Sequence, residues 1–212
     1  MVIYMAKDKE KDTKKNVEYE EVEKNTKKAH KDMVLEYMPY VIIIVFVVLI
    51  RTFIATPIRV NGSSMSPTLY DGDHMLLYKL TPKTRGIKRF DIVVISTDSG
   101  KLIKRVIGLP GEKIRYEITK DENEKEIATL YINGEAVSED FLTDEAKNAT
   151  CVIDTKICNG EEFEIPENEY YVMGDNRVNS KDSRMIGTVN KESINGTTQL
   201  ILFPFNRVGK VE

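Results

Sequence analysis

The chain has 212 residues, 41% of them apolar and 31% charged, with a formal net charge of −3. That length and apolar content suffice for one globular domain with a real core. A balance so near zero lacks the broad basic footprint that nucleic-acid binding requires, so nucleic acid is not an expected partner.

In chain order, residues 7–36 are almost all Lys, Glu, Asp and Asn, with few large apolar side chains. Such a stretch cannot bury a core, and 1–36 reads as a charged, cytoplasmic segment, disordered or frayed helix. Residues 37–55 form the apolar run, centred on Val41-Ile42-Ile43-Ile44-Val45-Phe46-Val47-Val48-Leu49-Ile50. About 20 residues cross the hydrocarbon. The uninterrupted part is shorter, but Arg51 can snorkel to one interface while Tyr37 and Tyr40 suit the other. A cleaved leader needs a short basic start and small residues at −1 and −3, whereas Phe53 stands at −3 to Ala55 behind a leader of over thirty residues. A core helix would show a polar face, and this run has none. An uncleaved transmembrane signal-anchor is therefore expected, with the lipid bilayer as a partner. Lys24, Lys27, Lys28 and Lys31 precede it and only Arg51 and Arg59 closely follow. That bias places the N-terminus in the cytoplasm and residues 56–212 outside a cell membrane crossed once.

Beyond Pro57 the pattern changes to short β-type runs at 75–78, 91–95, 102–107, 113–118, 128–132, 169–173 and 198–203. Asn133-Gly134 between two such runs signals a two-residue hairpin. Past the anchor no long helix is expected, only a helical turn or two within 139–150. The exported part thus reads as mostly β, with the charged stretch of about 112–168 as a smaller inserted β subdomain. Cys151 and Cys158 both lie there, where an oxidising compartment permits a disulfide worth roughly 2–3 kcal/mol, with free thiols the alternative. Two cysteines without nearby histidines make no zinc site, and neither metal nor cofactor is expected.

Close behind the anchor stands Gly62-Ser63-Ser64-Met65-Ser66-Pro67-Thr68-Leu69, a serine-rich tight turn. It fits a nucleophile presented at the bilayer face, and equally an ordinary proline-containing surface turn. A partner base would decide. Histidine is the usual activator of serine. His30 lies on the other side of the anchor, and His74 reads as a surface residue opening a strand, so a Ser–His–Asp triad is not expected. A lysine base must be desolvated and held by hydroxyls instead of carboxylates. Lowering its pKa by about two units costs close to 3 kcal/mol of folding free energy. Lys104 lies in Leu102-Ile103-Lys104-Arg105-Val106-Ile107, apolar enough to be buried. On a strand Lys104 can face inward while Arg105 faces out; the competing reading is a snorkelling strand lysine. The third cluster, Gly174-Asp175-Asn176-Arg177 through Ser180-Lys181-Asp182-Ser183-Arg184, follows a strand as a polar loop. There Asp182 and Arg184 would pair and aim Ser180, or the loop is a solvated turn.

Together these three clusters resemble the motif boxes of bacterial type I signal peptidases, the membrane-anchored leader peptidases with a serine–lysine dyad. The boxes stand in the family's order behind an N-terminal anchor, and the likeness runs from about residue 37 to 205. The ending Phe203-Pro204-Phe205-Asn206-Arg207 and the single anchor are more similar to Gram-positive members. The resemblance implies a serine endopeptidase that removes signal peptides from exported preproteins, cleaving after small residues at −1 and −3 through an acyl-enzyme. It implies Ser64 as nucleophile, Lys104 as base, Ser180 as the hydroxyl orienting that lysine, and Asp182 and Arg184 as the supporting pair. Val60, Met65, Leu69 and Ile103 match pocket-lining positions, with core packing weighed equally against that reading. The Ser64 N–H would be one oxyanion donor, and Gly62 stands where some members supply a hydroxyl, which leaves a backbone N–H for the second.

Two boxes depart from the family: Arg89-Phe90-Asp91 replaces Arg-Gly-Asp, where a changed turn is expected, and Gly111-Glu112 replaces Gly-Asp. A monomer is expected. The rival readings are a serine–lysine self-cleaving repressor-type protease, disfavoured by the anchor, and a non-catalytic membrane-anchored β domain, which would be expected to lack the serine or the lysine.

Overall fold

The computed structural model describes residues 24–211 except 25, 29, 32, 121, 123, 125 and 152–155, so most of the charged segment expected at 1–36 lies outside the described residues. The chain divides into two compact units, Met1–Ile50 and Arg51–Glu212. In the first, described residues are helical from Lys24 onward. Helix α1, Thr26–Ile54, is long and apolar enough to cross a membrane and buries none of its apolar window. It begins well before residue 37, because the Lys- and Glu-rich approach is made of good helix formers. It stops before Ala55, where Pro57 cannot continue it.

The second unit contains two antiparallel sheets. The larger has the order β1-β2-β11-β3-β4-β9-β10, with β12 also on β11. Its strands are β1 (Ala55–Arg59), β2 (His74–Tyr78), β3 (Ile92–Thr97), β4 (Gly100–Gly108), β9 (Glu169–Met173), β10 (Val189–Asn190), β11 (Ile194–Phe203) and β12 (Gly209–Lys210). β1 begins where the anchor was expected to end; at the sheet edge, Pro57 costs no ladder hydrogen bond. The smaller sheet, β7-β6-β5-β8, comprises β5 (Lys113–Lys120), β6 (Glu126–Ile132), β7 (Glu135–Val137) and β8 (Phe163–Glu164). Asn133 and Gly134 both take positive φ (52° and 84°), closing the expected two-residue hairpin between β6 and β7.

Short helices α2 (Thr81–Thr84), α3 (Asp144–Asn148) and α4 (Ser183–Ile186) fill connections, α3 being the helical turn expected within 139–150. Cys151 and Cys158 form a disulfide. Ile114, Tyr116, Leu130 and Ile132 of the small sheet pack with Ile107 of β4 and with Tyr171 and Met173 of β9. Side chains buried in this way contribute roughly 1.5–3 kcal/mol each, so this cluster fixes the small sheet against the two strands that bear on the site.

Candidate active site

Three separate stretches meet. The first is the excursion between β1 and β2, closed at its neck by Val60 N–H donating to Asp73 O (2.8 Å) and Gly72 N–H donating to Val60 O (3.0 Å). Val60, Met65 and Leu69 are 2%, 1% and 0% exposed and pack with Met75 of β2, Ile92 of β3 and Ile201 of β11. They anchor the turn from beneath, while Gly62 and Ser63 remain exposed and Ser64 half-buried. Of the four expected lining residues only Ile103 keeps appreciable surface.

The second stretch is β4. Lys104 lies opposite Val93 and Arg105 opposite Ile92. Lys104 Nζ is 2.7 Å from Ser64 Oγ and donates to Ile103 O at 3.1 Å. No carboxylate is hydrogen-bonded to it among the described residues. Burial pushes the Lys104 ammonium below its ordinary value; Asp182 and Asp175 act against that by charge, Arg184 acts with it, and the net direction is down. A lysine in this state can accept a proton from the hydroxyl it touches. Arg105 does not face out as expected. It is 2% exposed, because Phe141 from the inserted segment covers it at 4.0 Å from ring centre to guanidinium carbon. There it pairs with Asp175 through Nε (3.0 Å) and Nη2 (2.7 Å) and donates to Phe90 O.

The third stretch is the loop after β9, and its buried charges are paired. Asp182 and Arg184 meet at 2.8 Å, both fully buried. Burial alone would raise the Asp182 carboxyl, but hydrogen bond and charge from Arg184, with the Gly174 N–H, bring it below its ordinary value. Arg184 also donates to the carbonyls of Thr150 and Arg177. Ser180 is brought into this buried cluster beside Asp182, whose carboxyl it helps to lower, and among the described residues its hydroxyl makes no hydrogen bond to Lys104. Gly174 has no room for a side chain: a Cβ would collide with Ser180 Oγ and with the Ser64 carbonyl oxygen. That carbonyl accepts from Asn176 N–H at 3.1 Å, so the loop grips the peptide that follows Ser64.

Other expectations need correction. The Gly62 N–H is taken by Asp71 Oδ1 at 2.8 Å, so it is not free for an oxyanion. The turn at Phe90 is kept in a glycine-like form, with Phe90 in the left-handed region at φ 67° and its ring against Phe141 (5.1 Å between centroids). His74, by contrast, opens β2 as expected and packs edge-on against Phe203. Sequence reasoning missed several groups that frame the site. Thr68 Oγ1 donates to Asp175 at 2.5 Å, and Arg207 binds Asp73 and the Thr68 carbonyl (3.0 Å). Arg177 pairs with Glu139. Asp175 and Arg177 lie within the Gly174-Asp175-Asn176-Arg177 motif, Thr68 within the serine octet and Arg207 within the C-terminal motif; no motif pointed at Glu139.

Residues 31–203 match the family described as "Signal peptidase, peptidase S26". Signal peptidase I of Bacillus licheniformis is 40% identical over 194 residues, covering 90% of this chain and 98% of that protein. Signal peptidase I T of Bacillus subtilis strain 168 is 37% identical, covering 89% and 97%. Among solved structures, a signal peptidase I from Enterococcus faecalis V583 is 34% identical, with a TM-score of 0.37, covering 52% of this chain and 95% of that one. By family and by relatives matched over nearly their whole length, this chain is a member of the signal peptidase family, peptidase S26.

Proposed function

We propose that the protein is a membrane-anchored serine endopeptidase that removes N-terminal signal peptides from exported preproteins, using Ser64 as nucleophile and Lys104 as base. The carrying observation is the 2.7 Å contact between the buried Lys104, its pKa lowered by that burial, and the hydroxyl of half-buried Ser64. Neutral Lys104 takes the Ser64 proton as Oγ adds to the scissile carbonyl carbon. The resulting ammonium returns that proton to the departing amine as the C–N bond breaks, leaving an acyl-enzyme. Lys104 then takes a proton from water, hydroxide adds to the ester, and Ser64 recovers its hydrogen as the acid leaves. Among the described residues the Ser64 N–H has no acceptor, which leaves it available to the oxyanion. The buried Ser180 hydroxyl, beside Asp182, is the group assigned to orient Lys104.

An extended substrate with small residues at −1 and −3 would lie against Ile103, over the floor made by Val60, Met65 and Leu69. Helix α1 would hold the catalytic unit at the bilayer with the N-terminus cytoplasmic, raising the effective concentration of membrane-bound preproteins.

Detergent-solubilised protein incubated with a preprotein tests this. Ser64→Ala is expected to reduce mature-product formation to background, and Lys104→Met to lower it about 10²–10⁴-fold. Lys104→Met carries a second readout. A lysine whose folded pKa lies below its unfolded value destabilises the fold fully below the folded pKa, and the penalty disappears as pH rises toward 10.5. The Met variant should therefore melt higher than wild type at pH 7, with the gap narrowing toward pH 10. Normal cleavage by either variant would refute the assignment.

A further inference from the structure

The inserted segment between β7 and α3 sends Glu139 into the back of the 174–184 loop, far in sequence from the groups assigned to the chemistry. Arg177 Nη2 meets Glu139 Oε1 at 2.5 Å, with side-chain exposures of 0% and 3%. Around that pair, Arg177 Nη1 donates to Thr150 Oγ1 (3.0 Å) and to the Tyr116 hydroxyl (3.2 Å). The remaining donor, Nε, reaches Gly174 O at 3.0 Å. A guanidinium is a rigid planar fork, so fixing its Nη side fixes where Nε points.

Gly174 is the residue for which this matters. Its carbonyl is held by Arg177, its N–H by Asp182 (3.0 Å), and it is wedged between Ser180 and the Ser64 carbonyl with no space for a Cβ. A shift of the Arg177 fork would therefore reach both Ser64 and Ser180. Displacements of about 1 Å at reacting groups can cost about 10²-fold in rate. A buried ion pair is weak support for stability, since apolar residues of similar volume serve as well or better. Stability alone therefore does not explain the pair. Phe141, two residues on, stacks on Arg105, whose partner Asp175 is the neighbour of Gly174.

We propose that Glu139 is a positioning residue for the Ser64–Lys104 pair, acting through Arg177 and the Gly174 peptide, so that the inserted β subdomain sets the geometry of the site. The inference rests on the serine–lysine reading above. The test uses full-length protein in detergent and a peptide substrate with Ala at −1 and −3, assayed well below the unfolding temperature of every variant. Glu139→Gln should lower kcat about tenfold with KM within twofold of wild type. Ile194→Ala, which empties buried volume at the start of β11 in a core cluster separate from the one that backs the loop, should lower the melting temperature and leave kcat within twofold. Equal kcat losses in the two variants, or wild-type kcat in Glu139→Gln, would overturn the proposal. If Glu139→Gln does not fold, Thr150→Val carries the test by removing one acceptor from Arg177 while keeping the charges. A two- to fivefold fall in kcat at constant KM supports positioning, and unchanged kcat refutes it. A parallel Ser64→Ala sample separates the two readings: activity there defeats the dyad itself, whereas an inactive Ser64→Ala beside fully active Glu139 and Thr150 variants defeats only the positioning role.

Discussion

The turn that carries Ser64 is held in its middle by neutral contacts and keeps Gly62 and Ser63 exposed, with Asn176 and Asn179 gripping Ser63 and the Ser64 carbonyl, whereas the 174–184 loop is fastened by buried charge. At the ends of the turn, Asp71 takes the Gly62 N–H and Arg207 grips Asp73 and the Thr68 carbonyl. In the loop Asp175, Arg177, Asp182 and Arg184 are all buried and all paired. The contrast follows from what each side must do. On the proposed mechanism an extended peptide has to reach the nucleophile, so its hydroxyl and N–H cannot be covered, whatever holds its carbonyl. A base that works neutral has to be dry, so the groups that place it are dry as well, and buried charges persist only with partners.

If that contrast is correct, the largest losses after those at Ser64 and Lys104 come from the loop, and they carry a pH signature. Arg184→Met removes a charge that lowers the Lys104 pKa and leaves Asp182 unpaired to raise it. On the proposed mechanism activity requires neutral Lys104, so the acid limb of the pH–rate profile should move to higher pH, with a loss on the order of 10–100-fold at pH 7. Asp182→Asn removes the larger raising charge and leaves Arg184 to lower the pKa further, so its limb should move to lower pH. Each variant also strands a buried charge, at a cost of about 3–5 kcal/mol in thermal unfolding. Limbs that moved the same way in both variants would contradict the electrostatic account of the loop.

A smaller effect is expected at the turn. Arg207 is a quarter exposed, so Arg207→Met loses charged hydrogen bonds that water partly replaces. About 1–2 kcal/mol of stability and a severalfold drop in kcat are expected, measured by melting and by the peptide assay. An Arg207→Met defect larger than that of Arg184→Met would reverse the comparison.

The strands that carry the site were legible because their signals are local. Apolar runs of the right length placed β3, β4 and β9, and Asn133-Gly134 placed a turn that requires two positive φ values. Ser64 and Lys104 were legible as motif residues, and the contact between them is one that no local pattern could supply. What stayed hidden depends on tertiary cover. Arg105 read as outward-facing because strand alternation says nothing about what lies on the second face, and there Phe141 covers it. Glu139 sits in a charged insertion with no pattern to separate it from the exposed acids around it, and only the fold brings it to Arg177. Gly62 was legible as a turn glycine, but whether its N–H is free depends on Asp71 across the turn.

The smallest predicted effect concerns Phe90, where the loop's support passes through a strained residue. Phe90 holds φ 67°, a region in which a side chain costs about 1–2 kcal/mol and glycine costs nothing. Its carbonyl accepts from Arg105, which holds Asp175, so the backbone shape there is part of what fastens the loop. The ring offsets the strain by packing on Phe141, and truncation in any form loses that contact. Comparing two truncations isolates the backbone. Phe90→Ala and Phe90→Gly lose the same ring, but alanine retains the strain and glycine does not. Glycine should therefore be the more stable of the two by about 1 kcal/mol in denaturant unfolding, against alanine's usual advantage. Alanine equal to or better than glycine would mean that Phe90 holds its turn without strain, and that the ring alone accounts for this support of the loop.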